Sequence, residues 1–438
     1  MKMVMVLFTE QLTMKRVAWR IVPFIMLLYF VAYLDRVNVG IAAITMNEDI
    51  GLSKAAFGLG AGIFFIGYFL FEVPSNLILH KVGARRWIAR IMLTWGLVSG
   101  AMAFVQGPIS FYILRFLLGA AEAGFFPGII LYLSYWFPCR YRAGITAMFM
   151  AAVPISIGLG SPLSGWLLSF DGIMGMKGWQ WLFLIEALPA VLLSAAVLLF
   201  LTDRPEKAKW LPEEQKQWLV EEMSKERRAV AASHGASAVF SALFNPRILA
   251  LALVYFGTSA GLYTIGIWAP QILAQYDLTL TQIGLVNAIP PVFAVVAMVF
   301  WAKHSDKTGE RTTHVFIACI VASVGLFAAA FTTSLLAAVL ALIVVNVGVS
   351  SAKPPLWAIP TQFLRGSGAA AGIAAINSIG NLGGFFGPTL IGYIKTSTGD
   401  YMWGLIGVGI SLMVSACIVL FLTGKPTQTH TSINSTAL

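Results

Sequence analysis

Charge is what this sequence is short of. Asp, Glu, Lys and Arg make up only 11% of 438 residues, against 58% apolar residues, and the mean hydropathy is +0.81. A soluble domain of this length cannot hide so much apolar surface, so a water-soluble globular protein is excluded and the chain belongs in a bilayer. Cysteine is scarce as well. Cys139, Cys319 and Cys417 lie in or at the edges of apolar runs, with neither disulfide nor metal-ligand spacing, and read as inert thiols. The five histidines stand near run ends or in loops. With no Ser-His-Asp, Cys-His or His-rich grouping inside the runs, the sequence argues against an enzyme and against a bound metal or organic cofactor.

What is abundant is the apolar run itself. Twelve stretches of about twenty residues recur, each long enough to cross ~30 Å at 1.5 Å per residue. They fall at roughly 19–45, 55–79, 87–106, 109–136, 142–169, 179–201, 248–274, 280–302, 313–332, 334–363, 368–394 and 402–423. The expected architecture is an all-α membrane protein of twelve transmembrane helices in two six-helix halves. The first run is too long for a cleaved signal peptide.

The net charge of +10 could suggest nucleic acid, but its distribution says otherwise. If the N-terminus is cytoplasmic, only Lys54, Lys177 and Lys395 fall outside, and Arg36, Arg115 and Lys353 fall within spans; every other Lys and Arg is inside. This asymmetry predicts both termini in the cytoplasm of a bacterial inner membrane. The partners expected are lipid and a small solute rather than nucleic acid, and a monomer is expected.

One charged segment, "TDRPEKAKWLPEEQKQWLVEEMSKERRAVAASHGASA", interrupts the apolar texture, with a helix start near Leu211-Pro212. The predicted organisation is a cytoplasmic N-terminus (1–18), a six-helix bundle (19–201), a linker (202–247), a second bundle (248–423) and a tail (424–438). The halves repeat. "HKVGARR" after span two matches "SDKTGERT" after span eight, pairing Lys81, Gly83 and Arg85 with Lys307, Gly309 and Arg311. The same offset of 226 carries Gly158 to Gly384 and Pro162 to Pro388. Such six-plus-six repeats build many secondary transporters, with the substrate site between halves near mid-membrane.

The spans contain few charges: Asp35, Arg36, Glu72, Arg115, Glu122, Glu186 and Lys353. A charge at bilayer depth costs at least ~2.5–3.5 kcal/mol on insertion scales, so each needs a partner or a use. Asp35, Arg115, Glu122 and Tyr68 fall in one depth band, and Arg115 and Glu122, seven apart, share one helix face. Small residues surround Glu122 in "GAAEAGFFPG". A polar cavity is predicted there. Glu72, beside Pro74, serves packing or gating equally well, and Glu186 reads as structural. Lys353 stands where Pro354 and Pro355 are expected to break the helix, reaching either the cavity or the inner surface. The second half has no intramembrane acid; its cavity-facing polar groups are predicted to be Asn377, Asn381, Tyr255, Tyr263, Trp268 and Trp357.

The paired loops resemble those of the major facilitator superfamily, although His80 stands where an acid is common and Asn76 where a glycine is common. Those departures imply a weaker loop lock in the first half. "YLDRVNVG", "RFLLGAAEAGFFPG", "YWFPCRYRA" and "NSIGNLGGFFGP" together resemble the anion:cation symporters of that superfamily, over about residues 17–424. The resemblance implies proton-coupled import of a small organic carboxylate: a sugar acid, a tartrate-like hydroxy-dicarboxylate or an aromatic acid. Carried onto matching positions, it implies that Asp35 and Glu122 exchange protons and that Arg36 and Arg115 attract the anion, with Tyr33, Tyr68 and Asn381 lining the site. An efflux antiporter of the same fold is the alternative.

Overall fold

A computed structural model describes residues 2–231, 245–363 and 367–422, and among them no strand occurs. Long apolar runs leave the backbone one way to satisfy its own polar groups in lipid, which is to coil. The first half comprises α1 (Lys2–Asp49), α2 (Lys54–Val82), α3 (Ala84–Ala101), α4 (Pro108–Glu122), α5 (Phe125–Trp136), α6 (Cys139–Met150), α7 (Ala152–Leu168) and α8 (Gly178–Phe200). A linker helix, α9 (Glu213–Ala231), follows. The second half comprises α10 (Pro246–Leu273), α11 (Leu280–Asn287), α12 (Ile289–Thr308), α13 (Thr312–Ala330), α14 (Leu335–Phe363), α15 (Ser367–Asn381), α16 (Gly383–Thr398) and α17 (Met402–Phe421).

Eleven helical stretches are long and apolar enough to cross a membrane. The remaining run is the helix pair α15–α16, joined through Leu382, whose backbone is itself helical. Several spans expected to be continuous are jointed in this way. Span four breaks immediately after Glu122: Gly124 adopts φ +84°, and the space a Cβ would need is filled by the Ser75 hydroxyl. Spans five and eight are each interrupted at one residue, Ala151 and Ala288, whose backbone angles stay helical. The reverse holds for span ten. The helix expected to break at Pro354-Pro355 continues to Phe363. Tertiary packing decides this, because Leu356 and Ile359 just beyond the prolines are buried against neighbouring helices.

The two ends of the bundle differ. At the end remote from α9, the halves touch backbone to backbone. A Cβ on Gly58 of α2 would lie 2.5 Å from the carbonyl of Pro388 on α16, and Gly392 is its other neighbour. Gly284 of α11, again 226 residues on from Gly58, meets Gly165 and Ser161 of α7 in the same manner. Small residues allow this approach and van der Waals contact rewards it. Polar bonds close the same end: Ala55 N–H to Thr396 Oγ1 (2.8 Å), Lys54 Nζ to Gln271 Oε1 (2.8 Å) and Asn287 Nδ2 to Ser161 Oγ (2.9 Å).

At the other end, α5 and α6 pack chiefly on their own half among the described residues. Helix α9 starts just after Pro212 and straps this half: Arg140 pairs with Glu10 and Glu222, and Arg142 with Glu226. The repeated loops also lie here. Gly83 and Gly309 take φ +97° and +72°, the left-handed region where glycine is favoured. In the second loop Arg311 pairs with Asp306 at 2.7 Å. In the first, Asp203 accepts from the Arg85 backbone N–H at 2.9 Å, so the acid absent at position 80 is supplied from the chain beyond α8.

Candidate functional site

Adjacent residues on a helix point about 100° apart, so Asp35 and Arg36 cannot face one way. Arg36 turns toward the interface between halves. It forms an ion pair with Glu122 of α4 and donates from Nη1 to the Tyr263 hydroxyl of α10 at 2.8 Å. Its guanidinium carbon lies 5.0, 5.3, 5.4 and 5.9 Å from the ring centroids of Tyr33, Phe64, Tyr68 and Tyr263. Aromatic faces attract a cation most where water is excluded. Tyr33 and Tyr263 complete the contact, hydroxyl to hydroxyl, at 3.3 Å. One guanidinium therefore joins the two halves.

Asp35 turns the other way. Its carboxylate accepts from Trp95 Nε1 at 2.6 Å and Ser99 Oγ at 3.0 Å, both on α3. Arg115 is fully buried, donates from Nη2 to the carbonyl of Ala61 at 3.2 Å and stacks over Phe64 at 4.9 Å. It attracts Glu122 through space, yet the ion pair of Glu122 is with Arg36. The expected single chamber of Asp35, Arg115 and Glu122 is thus corrected to a core of Arg36 and Glu122. Arg115 lies beside that core and Asp35 behind it, because α1 cannot present both of its charges to one cavity.

The second half supplies the facing wall. Tyr255 meets Trp357 edge to face at 5.1 Å, and Gly380, next to the buried Asn381, sits against the Tyr255 ring. Lys353 is half-buried on α14 and its charge is felt by Arg36. Asn377 is not free to receive a ligand: it and Ser378 (2.8 Å) donate to the buried Glu72 of α2, a second bridge between halves. Trp268 donates to the Pro388 carbonyl at 3.2 Å and belongs to the remote packing instead. Trp95, Ser99 and Phe64 carry no charge, so they do not stand out in the sequence. Trp95 and Ser99, four apart on the third span, were the available signal of a shared polar face.

An accounting of hydrogen bonds shows what the site lacks. Among the described residues, Arg36 Nε, Arg115 Nε and Trp357 Nε1 are buried donors without a partner. Buried donors left so are rare, since each costs about 1–3 kcal/mol. The wall therefore offers donors and cations in excess, which suits an anion carrying several acceptor oxygens.

A family model described as the Major Facilitator Superfamily matches residues 25–388. The chain belongs to the major facilitator superfamily. A protein of Agrobacterium vitis named for tartrate transport is 62% identical over 97% of this chain and 94% of its own length. The quinolone resistance transporter of Acinetobacter baumannii is 42% identical over 95% and 96%. Among solved structures, an inward-facing bacterial homologue of the human lysosomal transporter Spinster superposes with a TM-score of 0.75 at 14% identity, covering 92% of this chain and 96% of that one. The major facilitator fold expected from the sequence, with its two six-helix halves, is the observed one, and this major facilitator protein is a multi-pass membrane transporter.

Proposed function

We propose that this protein imports a small hydroxy-dicarboxylate such as tartrate together with protons, across a bacterial inner membrane. The observation that carries the reading is Arg36, joined to Glu122 in one half and Tyr263 in the other, with its Nε unpaired among the described residues. A substrate carboxylate that takes Arg36 removes the counter-charge of Glu122, and a proton on Glu122 restores neutrality. Each ligand then favours the other, a linkage of typically ~1–3 kcal/mol. Asp35, in the electrostatic field of Glu122, is the second exchanging acid. Arg115, Lys353, Trp357 Nε1 and Asn381 would receive the second carboxylate and the hydroxyls. The relative named for tartrate transport supports this choice of cargo.

With both termini cytoplasmic, the tightly packed end faces outward and the α9 end faces the cytoplasm. Alternating access would then part the glycine contacts outside and bring the α9 end together. The test is uptake into right-side-out vesicles. Tartrate should acidify the lumen, and a protonophore should abolish accumulation. Accumulation unaffected by the protonophore would sink the reading. The 42% identity to a quinolone resistance transporter supports the rival reading of efflux, which an outward, proton-driven flux of a quinolone in the same vesicles would favour.

A further inference from the structure

The closed end, remote from α9, holds two cations that closure itself brings together. Lys54 opens α2 in the first half, and Lys395 lies in the last turn of α16 in the second. Their helices meet there. The Ala55 N–H donates to Thr396 Oγ1 at 2.8 Å, and a Cβ on Gly392 would lie 2.4 Å from the Lys54 carbonyl. Lys54 feels the charge of Lys395, and among the described residues neither has an acid as ion-pair partner. Asp49, at the end of α1, pairs with Lys177 instead, at 3.3 Å.

The donors here outnumber their acceptors. An ammonium has three N–H bonds and accepts nothing. Lys54 Nζ spends one on Gln271 Oε1 of α10 at 2.8 Å, and Lys395 Nζ spends one on the Gly399 carbonyl at 2.7 Å. Gln271 is 4% exposed, and its Nε2 has no partner among the described residues. The bond from Lys54 fixes that amide, because a lysine donates only and must face the amide oxygen. Tyr401 completes the wall, its ring centroid 4.4 Å from Lys395 Nζ and 5.6 Å from the ring of Trp268, about one turn before Gln271. Both lysines are half-buried, so their heads reach water at the rim. Like charges pressed together repel, and an oxyanion between them would relieve the repulsion and accept from Gln271 Nε2 as well.

We propose that Lys54, Lys395 and Gln271 Nε2 form a second anion site, for a small divalent oxyanion, which is complete only when the halves meet at this end and therefore holds it shut. The bound anion lies off the path through Arg36. It acts by lowering the fraction of molecules open at this end, because it binds the closed form and not the open one.

The test needs neither a gradient nor a cargo, so its outcome is independent of the proton-coupled reading. Ser161, 3% exposed in the other seam at the same end, serves as reporter. Ser161→Cys, in a background lacking the native cysteines, is labelled with a thiol reagent in detergent, where both faces are accessible. Sulfate is the probe, and chloride at equal ionic strength controls for general screening of the two charges. At about twice its dissociation constant, sulfate should slow labelling about threefold. Lys54→Gln and Lys395→Gln should each abolish that response. Lys395→Glu sets an opposite charge beside Lys54 and should slow labelling without sulfate, with no further slowing when it is added. Three results would each overturn the site: chloride matching sulfate, Lys54→Gln responding as the parent does, or Lys395→Glu labelling as fast as the parent. Slower labelling in phosphatidylglycerol than in phosphatidylcholine vesicles, with no response to sulfate, would give the lysines to lipid headgroups and overturn it too.

Discussion

At the residue scale, Arg36 does two jobs that one shape permits. Its planar fork reaches Glu122 and Tyr263 together while lying among four aromatic rings. Lysine keeps the charge but is a point donor on a flexible stem, so Arg36→Lys should lower tartrate uptake more than tenfold although the charge count is unchanged. Tyr263→Phe removes one hydrogen bond to a charged group, about 1.5–3 kcal/mol, and should weaken tartrate binding roughly tenfold or more in a thermal-shift titration. Glu122→Gln removes a titrating group from the pair. We expect it to retain tartrate exchange between vesicle faces and to lose uphill accumulation; accumulation at the native level would show that the proton is carried elsewhere. The sequence exposed these residues because charge at bilayer depth is rare. It could not say which partner each would choose, since Arg115 and Arg36 were equally open to Glu122 until α1 and α4 were set side by side.

At the scale of elements, the jointed helices matter most. Glu122 ends α4, and Gly124 turns the chain before α5 begins. Their sequence reads as one uninterrupted span because the apolar run does not stop there; the positive φ of Gly124 and the Ser75 hydroxyl beside it show why glycine stands at the turn. The repeated loops give a second case. Asp203 replaces the acid absent from position 80, so the first loop has its own lock. Asp203→Ala and Asp306→Ala should each lower stability by about 1 kcal/mol, through a lost bond to the Arg85 backbone and a lost partner of Arg311. The two effects should add in detergent unfolding experiments if the loops act independently.

For the whole molecule, the inter-half contacts define one end that must come apart. Cysteines at Ala55 and Thr396, in a background lacking the native cysteines, should cross-link and stop transport, and a reductant should restore it. Transport that persists in the cross-linked protein would mean that this end stays closed during the cycle. Glu72 joins the halves deeper in the bundle, through Asn377 and Ser378. Glu72→Ala should loosen the described state and raise labelling of the remote end. Sidedness is checked by a cysteine at Lys395, which an impermeant thiol reagent should reach from outside intact cells.

The sequence by itself determined the solvent, the number of crossings, the duplication and the few charges that lipid would not tolerate. Those properties follow from local composition and from period, which a linear chain displays in full. Tertiary structure alone decided that Arg36 and Asp35 part company, that Asn377 is claimed by Glu72, and that Asp203 closes a loop far from it in the chain. Each of these is a choice among partners of similar chemistry. It is settled by helix rotation and by glycine-governed approach between helices, neither of which is written at any one position in the chain.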